Sequence, residues 1–243
     1  MISAKIMELL KRDPVRNANI IGFVENYPIT KVASVGQSVL VIGQSDKAWA
    51  YISSESAGEL RQLLEFLSPA DVNFAVIEDW MMPIITAGRS TKGQLATLRL
   101  ALPSSTELPP LPTEVPTTKL GPEAAEYIYN NYSYREYTDV AYITDRLKNG
   151  PSAGVFYGTK LVAWALTHDD GAIGFLQALE EYRGRGYALA VTRTLVEEVR
   201  SQGKVPFVHI EESNVKSLGL AKKLGFVPDR RVQWFSLESE DVL

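Results

Sequence analysis

The sequence predicts an α/β (α+β) chain in two parts, and three observations carry that expectation. Short runs rich in β-branched and aromatic residues alternate with helical patterns throughout. A proline-rich stretch, LPSSTELPPLPTEVPTT from Leu102 to Thr118, interrupts the alternation with five of the chain's 13 prolines and no glycine. The 243 residues are 45% hydrophobic and 22% charged, an ordinary globular balance for one or two domains with a sizeable core. Proline fixes φ and removes a donor, so the stretch reads as an extended linker. The expected division is a smaller α/β domain over 1–102, a linker over 103–118 and a second domain over 119–243.

Composition excludes several functions. There are no cysteines, hence no disulfide framework, thiolate metal site or cysteine nucleophile. Net charge is −4, which argues against nucleic acid as the main partner. MISAKIMELLKRD is too short and too charged for a signal peptide, and no apolar run reaches the ~18 residues of a membrane helix. A soluble, cytoplasmic protein without membrane contact is expected.

In the first part, IMELLKRD and NIIGFVENY read as short helices, and KVASVG, SVLVIGQ and AWAYISS as strands. Ser56 and Glu59 have capping-box spacing ahead of ELRQLLEFL, a helix start. VNFAVIED and QLATLRLAL read as strands on either side of the apolar WMMPIITAG. No catalytic signature stands out here.

In the second part, PEAAEYIYNNY and EYTDVAYITDRLKNG are amphipathic helices. AGVFYG and LVAWALTH are strands, and Asp169, Asp170 and Gly171 form a hairpin turn into AIGFLQAL. Next come EYRGRG, the helix ALAVTRTLVEEVRSQG, the strand VPFVHIEE, the helix SNVKSLGLAKKLG with Ser213 or Asn214 as cap, and a last strand VQWFSLE.

The most informative stretch is EEYRGRGYALA, a glycine-rich turn between strand and helix. That order aims successive N–H groups and a positive helix end at one spot, where an anion such as a diphosphate fits. Gly184 and Gly186 let it approach without a Cβ in the way. Arg183 and Arg185 add charge. The other reading is a plain strand-to-helix turn with solvated arginines. No Gly-Lys-Ser/Thr follows, so this is not a P-loop, and the preceding strand is reached by a hairpin rather than a parallel βαβ crossover.

LQALEEYRGRGYALAVTRTL and PFVHIEESNVKSLGLAKKLGF resemble the GNAT acyltransferase superfamily over about residues 118–238. The first piece is similar to its acyl-CoA pyrophosphate loop, and the second to its fifth strand and the following helix ending in Leu224, Gly225 and Phe226. LVAWALTHDDGAIGFLQALEEYRG resembles the glycine N-acyltransferase-like branch, with Trp164 at a tryptophan of that branch's third strand.

The resemblance implies a mixed, mostly antiparallel sheet flanked by helices, whose fourth and fifth strands splay to admit acyl-CoA. The main chain of Gln177, Ala178 and Leu179 would pair with the pantetheine arm. The N–H groups of Arg183, Gly184, Arg185, Gly186, Tyr187 and Ala188 would hold the diphosphate, and Asn214 would flank the other side. The implied reaction is transfer of an acyl group, most simply acetyl, from CoA to a small-molecule amine; the alternative is a non-catalytic acyl-CoA sensor. Acetyl-CoA is the implied cosubstrate, with no metal, since the sequence offers no His/Asp ligand cluster. A monomer or homodimer is expected. The first domain reads as a possible degenerate copy of the same fold, because members of this branch carry an α/β domain there.

Catalysis needs a base. His209 and Glu211 share one face of VPFVHIEE, and His209 stands where many members carry a glutamate base. The other reading is a structural strand histidine paired with Glu211. Glu211 and Glu212 read either as water-ordering or as solvated. Trp164 reads as acceptor-pocket lining or as core, the tyrosines of IYNNYSYREY as acceptor border or helix packing, and His168 as a surface residue. Three departures from the family stand out: Ala221 occupies the position of a tyrosine acid, Ala172, after Asp169 and Asp170, the position of a glutamate, and Glu180 a position where proline is usual, which alters only the strand exit.

Overall fold

The structure is a computed structural model that describes residues 2–111 and 115–238. Residue 1, residues 112–114 of the expected linker and residues 239–243 of the expected second domain lie outside the described residues. The α/β expectation is met: eight α-helices and ten strands are described, the strands mostly in antiparallel pairs flanked by helices. No helix among the described residues is long and apolar enough to cross a membrane.

By contacts, the chain divides into two compact units, residues 1–99 with 229–243, and residues 100–228. In the first, α1 (Ala4–Lys11) and α2 (Ala18–Asn26) precede β1 (Ile29–Val35), β2 (Ser38–Gln44) and β3 (Ala48–Ser53), an antiparallel meander. Then follow α3 (Ala57–Leu64), β4 (Asn73–Glu78), α4 (Met82–Thr86) and β5 (Thr91–Ala101). β2 is buried on both faces, which explains its unbroken apolar run: Leu40 and Ile42 pack with Leu60, Leu63 and Phe74, while Val39 and Val41 pack with Phe23, Leu10 and Tyr51. At α3, the Ser56 side chain accepts from Glu59 N–H as the capping spacing requires. Glu59 does not return the bond; its carboxylate accepts from Ser38 Oγ at 2.6 Å.

The second unit begins with the last residues of β5. It contains α5 (Ala125–Asn131), α6 (Val140–Asn149), β6 (Ser152–Tyr157), β7 (Lys160–Thr167), β8 (Ile173–Ala178), α7 (Tyr187–Ser201), β9 (Phe207–Ile210) and α8 (Val215–Leu224). The last described element is β10 (Val227–Leu237). β6, β7 and β8 form an antiparallel sheet of their own, with α7 packed against it. Its other face is covered by α5 and α6 through Ile128, Ile143, Leu147, Trp164 and Phe175.

Two boundaries differ from expectation. The final strand, expected in the second domain, packs with the first unit from residue 229: β10 pairs antiparallel with β4, and Phe235 stacks on Phe74 at 5.2 Å between centroids. The proline-rich stretch is not a free spacer. Proline-rich backbone keeps its carbonyls while losing donors, and arginines of α7 supply them. Arg200 donates to the carbonyls of Pro103 and Thr106 at 2.8 and 2.9 Å, and Arg193 to that of Pro109 at 2.6 Å. Thr118 closes a bridge to Gly154.

Candidate functional site

The site grows from the way β8 ends its ladder. β8 pairs with β7 on one edge only; β9, which follows it through α7, belongs to a different sheet. Between Trp164 and Leu166 the register shifts, so that Phe175 and Leu176 of β8 bulge opposite Ala165. Phe175 takes φ +51°, an uncommon conformation for a bulky residue. The surroundings are tight: a Cβ on Gly174 would lie 2.3 Å from His168 Nε2, and the His168 ring stacks on Phe175 at 4.6 Å. A bulge bends the strand that carries it, and β8 is the strand that parts from β9.

Which peptide groups face the gap follows from antiparallel alternation. Leu179 N–H donates to the Val162 carbonyl at 3.0 Å, so Leu179 and, two residues back, Gln177 turn their main chain toward β7. Ala178 lies between them and faces the free edge, where its carbonyl accepts from Arg183 Nε at 3.2 Å. Of the three residues expected to offer main chain to a ligand, the structure leaves Ala178. The Gln177 side chain instead accepts from Ser133 Oγ at 3.1 Å.

Beyond Ala178, a 3-10 turn (Glu180–Tyr182) leads into the glycine loop and α7. Gly184 and Gly186 adopt φ +75° and +80°, and a Cβ at either would meet nothing within 4 Å: the space over the loop is open. Gly186 is the N-cap residue, no side chain caps the helix, and its first turn carries no acidic residue. The first helical bond runs from Ala190 N–H to the Gly186 carbonyl, so Tyr187, Ala188 and Leu189 offer N–H groups at the positive end of a 15-residue helix. This cradle fits a diphosphate. The arginines lie back on the loop: Arg185 donates to the Glu181 carbonyl at 3.3 Å and sits over the Tyr182 ring.

On the other side of the gap, β9 presents His209. Its Nε2 lies 3.2 Å from Asp170 Oδ2, and both side chains are nearly enclosed, at 9% and 4% exposure. Asp170, expected as a turn residue, is a buried partner. Its Oδ1 accepts from Ala172 N–H at 2.9 Å. Burial pushes the Asp170 carboxyl upward, but the hydrogen bond and charge of His209, the His168 charge and the Ala172 N–H outweigh it, so its pKa lies below the ordinary value. Asp169 is buried too and accepts from the Tyr142 hydroxyl at 3.0 Å. Burial and then the Asp169 charge hold the Tyr142 phenol well above its usual range. His168, read as a surface residue, is half-buried; burial lowers its pKa to about 4.

Asn214 caps α8: its Oδ1 accepts from Ser217 N–H at 3.1 Å, and its Nδ2 donates to the Tyr134 hydroxyl at 3.1 Å. That hydroxyl also faces the Glu211 carboxylate. Glu212 is exposed beside it. Trp164 is fully buried, edge-on to Tyr127 at 6.1 Å; in this structure it is a core residue. Sequence reasoning missed Asp170 as the partner of His209 and Tyr134 as the partner of Asn214. Among the described residues, no group of three or more His, Asp or Glu side chains is arranged to hold a metal.

With this geometry in view, the comparisons are informative. Residues 152–235 match the family model described as FR47-like protein. No curated protein matches the sequence. Among solved structures, a Drosophila protein superposes with TM-score 0.79 at 14% identity, over 98% of this chain and 97% of its own. A GCN5-related N-acetyltransferase from Kribbella flavida gives 0.62 at 14%, over 97% and 96%. A tandem GNAT protein from the clavulanic acid biosynthesis pathway gives 0.54 at 16%, over 96% and 93%. Fold and family model point the same way: the chain shares the fold of solved GCN5-related N-acetyltransferases, and residues 152–235 are similar to the FR47-like family model.

Proposed function

We propose that the second unit transfers an acyl group, most simply acetyl, from CoA to a small-molecule amine. One observation carries the reading: an uncapped helix start with two left-handed glycines stands at the mouth of a gap between β8 and β9. In this reading the N–H groups from Gly184 to Ala188 hold the diphosphate, without that of Arg183, which donates to the Glu180 carbonyl at 3.2 Å, and Ala178 pairs with the pantetheine arm along the free edge of β8. With Nε2–H donating to Asp170, the basic lone pair of His209 is on Nδ1, which takes the amine proton, directly or through a water. Asp170 fixes that tautomer and stabilises the imidazolium, the division of labour of a catalytic triad. Glu211, expected as the other candidate base, is held instead beside Tyr134.

The finer likeness to glycine N-acyltransferase-like proteins belongs to the same proposal, as does the first unit being an altered copy of the fold. The second reading, an acyl-CoA sensor without turnover, is favoured by Ala221, which puts no hydroxyl on the inner face of α8. Heating the protein with acetyl-CoA tests the binding step common to both. Ligand at 100 times its Kd adds about 2.7 kcal/mol, or roughly 5–10 °C for a chain of this size. Gly186→Asp, which places a carboxylate in the cradle, should abolish the rise. No rise with acetyl-CoA, longer acyl-CoAs or free CoA would refute both. Transfer to any amine separates enzyme from sensor.

A further inference from the structure

His209 is carried by a strand, but its partner is not. Asp170 sits in the turn between β7 and β8, and it stays 3.2 Å from His209 Nε2 only if that turn is itself held. The two carboxylate oxygens are both engaged, Oδ1 by Ala172 N–H at 2.9 Å and Oδ2 by His209. Those bonds orient the carboxylate. What anchors the main chain leading into it is a different element, α6.

Asp139 caps α6 by accepting from Tyr142 N–H at 2.7 Å, which fixes Tyr142 in the first turn and Arg146 one turn later on the same face. The Tyr142 hydroxyl makes two bonds to one residue: it donates to Asp169 Oδ1 at 3.0 Å and accepts from Asp169 N–H at 3.2 Å. Asp169 Oδ1 also accepts from Asp170 N–H at 3.1 Å. Arg146, 2% exposed, donates to the His168 carbonyl at 3.2 Å. The His168 ring packs against Tyr142 and Phe175, at 6.4 and 4.6 Å between centroids. One face of one helix therefore grips the turn by backbone and side chain just ahead of Asp170. Burial, then the Asp169 charge, keeps the Tyr142 phenol protonated across neutral pH, so its donor is always present.

We propose that Tyr142 is a positioning residue for the His209–Asp170 pair: through Asp169 it holds the Asp170 carboxylate against Nε2 and so fixes the tautomer of His209. The kinetic consequence rests on the acyl-transfer reading; the tautomer does not. At 3.2 Å the bond to Nε2 is already at the long end of the normal range, so a turn that relaxes by a few tenths of an ångström loses it. Without it the ring proton divides between the two nitrogens, and Nδ1 is blocked in part of the molecules.

The test makes Tyr142→Phe and Asp169→Ala, singly and together, and reads the NMR shifts of the His209 ring nitrogens. Neutral wild-type His209 should carry its proton on Nε2. Tyr142→Phe keeps the ring against His168 and should fold with a cooperative melt, yet show a mixture of tautomers. With acetyl-CoA and an amine that wild type accepts, its kcat should fall about 10- to 100-fold while KM for acetyl-CoA stays near wild type. Asp169→Ala should lose as much, and the double variant no more than either, because both cut one chain of bonds. A merely structural tyrosine would lower the melting temperature and leave the tautomer alone. If Tyr142→Phe keeps the wild-type tautomer, or the two losses multiply in the double variant, the assignment is wrong while acyl transfer stands. If the tautomers mix but kcat holds, Tyr142 positions the pair and His209 is not the base. If wild type neither binds CoA nor acylates any amine, the acyl-transfer reading falls, and the tautomer still decides whether Tyr142 holds the pair.

Discussion

Replacing Asp170 by asparagine changes one property of the His209 pair and almost nothing else. Asparagine matches aspartate in shape, so its Oδ1 can keep the Ala172 N–H, and the turn into β8 should survive. Toward His209, however, a carboxylate oxygen at 3.2 Å becomes an amide N–H. The amide donates, so Nε2 must accept, and the ring proton moves to Nδ1, the nitrogen that should take the amine proton. The negative charge that stabilises the imidazolium also disappears. Loss of a positioned base costs about 10²–10⁴ in rate, roughly 3–5 kcal/mol of barrier. The assay is kcat at saturating acetyl-CoA and amine, with a CoA thermal shift as control. The expected result is a kcat loss in that range with CoA binding intact. A kcat within threefold of wild type, in a variant that still binds CoA, would refute His209–Asp170 as the base, and Glu211→Gln would become the decisive variant.

Three further outcomes follow from the packing. In the unfolded chain His168 takes a proton below about 6.5, but in the folded chain burial delays this to about 4; stability is full above 6.5 and falls through that window as pH drops, by about 3 kcal/mol at most. His168→Phe keeps the ring on Phe175 and should flatten that part of a denaturation-versus-pH curve. Arg99 is 1% exposed, paired with Asp229 at 3.5 Å and donating to the carbonyls of Val15 and Arg16; Arg99→Ala takes this donor from both carbonyls, while Asp229 keeps Arg230, and should cost about 3 kcal/mol by urea denaturation. Phe235→Ala removes the ring stacked on Phe74, costs about 3–5 kcal/mol, and should lower hydrogen-exchange protection in β4 before β7.

What the sequence revealed was local. The glycine loop, the Ser56 cap and the hairpin turn at Asp169–Gly171 each follow from residues close together in the chain. What it hid depends on distant pairs. His209 and Asp170 are 39 residues apart and Asn214 and Tyr134 are 80 apart, with no spacing to betray them. Asp-Asp-Gly favours a turn whether or not the aspartates face solvent, so burial of Asp169 and Asp170 left no trace in the pattern. The pairing of β10 with β4 spans more than 150 residues, and an amphipathic strand does not name its partner. Proline content marks the segment, but arginines of α7, far along the chain, decide that its described part is strapped down.

The chain runs through one order of elements twice: helix, helix, three strands, helix, strand, helix, strand. The two passages differ where a ligand would enter. In the first, β3 and β4 pair in parallel at Ala50 and Phe74, leaving no gap between those strands. The turn into α3 is Ser54, Glu55 and Ser56, without glycine; the helix start is capped by Ser56, and Glu59 adds negative charge to its first turn. An anion there would meet a filled cap and a carboxylate. In the second, β8 and β9 have no ladder between them, and the start of α7 is uncapped and free of acidic residues. The chain should therefore bind one acyl-CoA, not two. Titration calorimetry should saturate at one equivalent per chain, and Gly186→Asp should remove the entire signal rather than half. Two equivalents, or heat persisting in Gly186→Asp, would mean that a closed strand pair and a capped helix do not exclude the ligand, and the physical argument for the open site would lose its contrast.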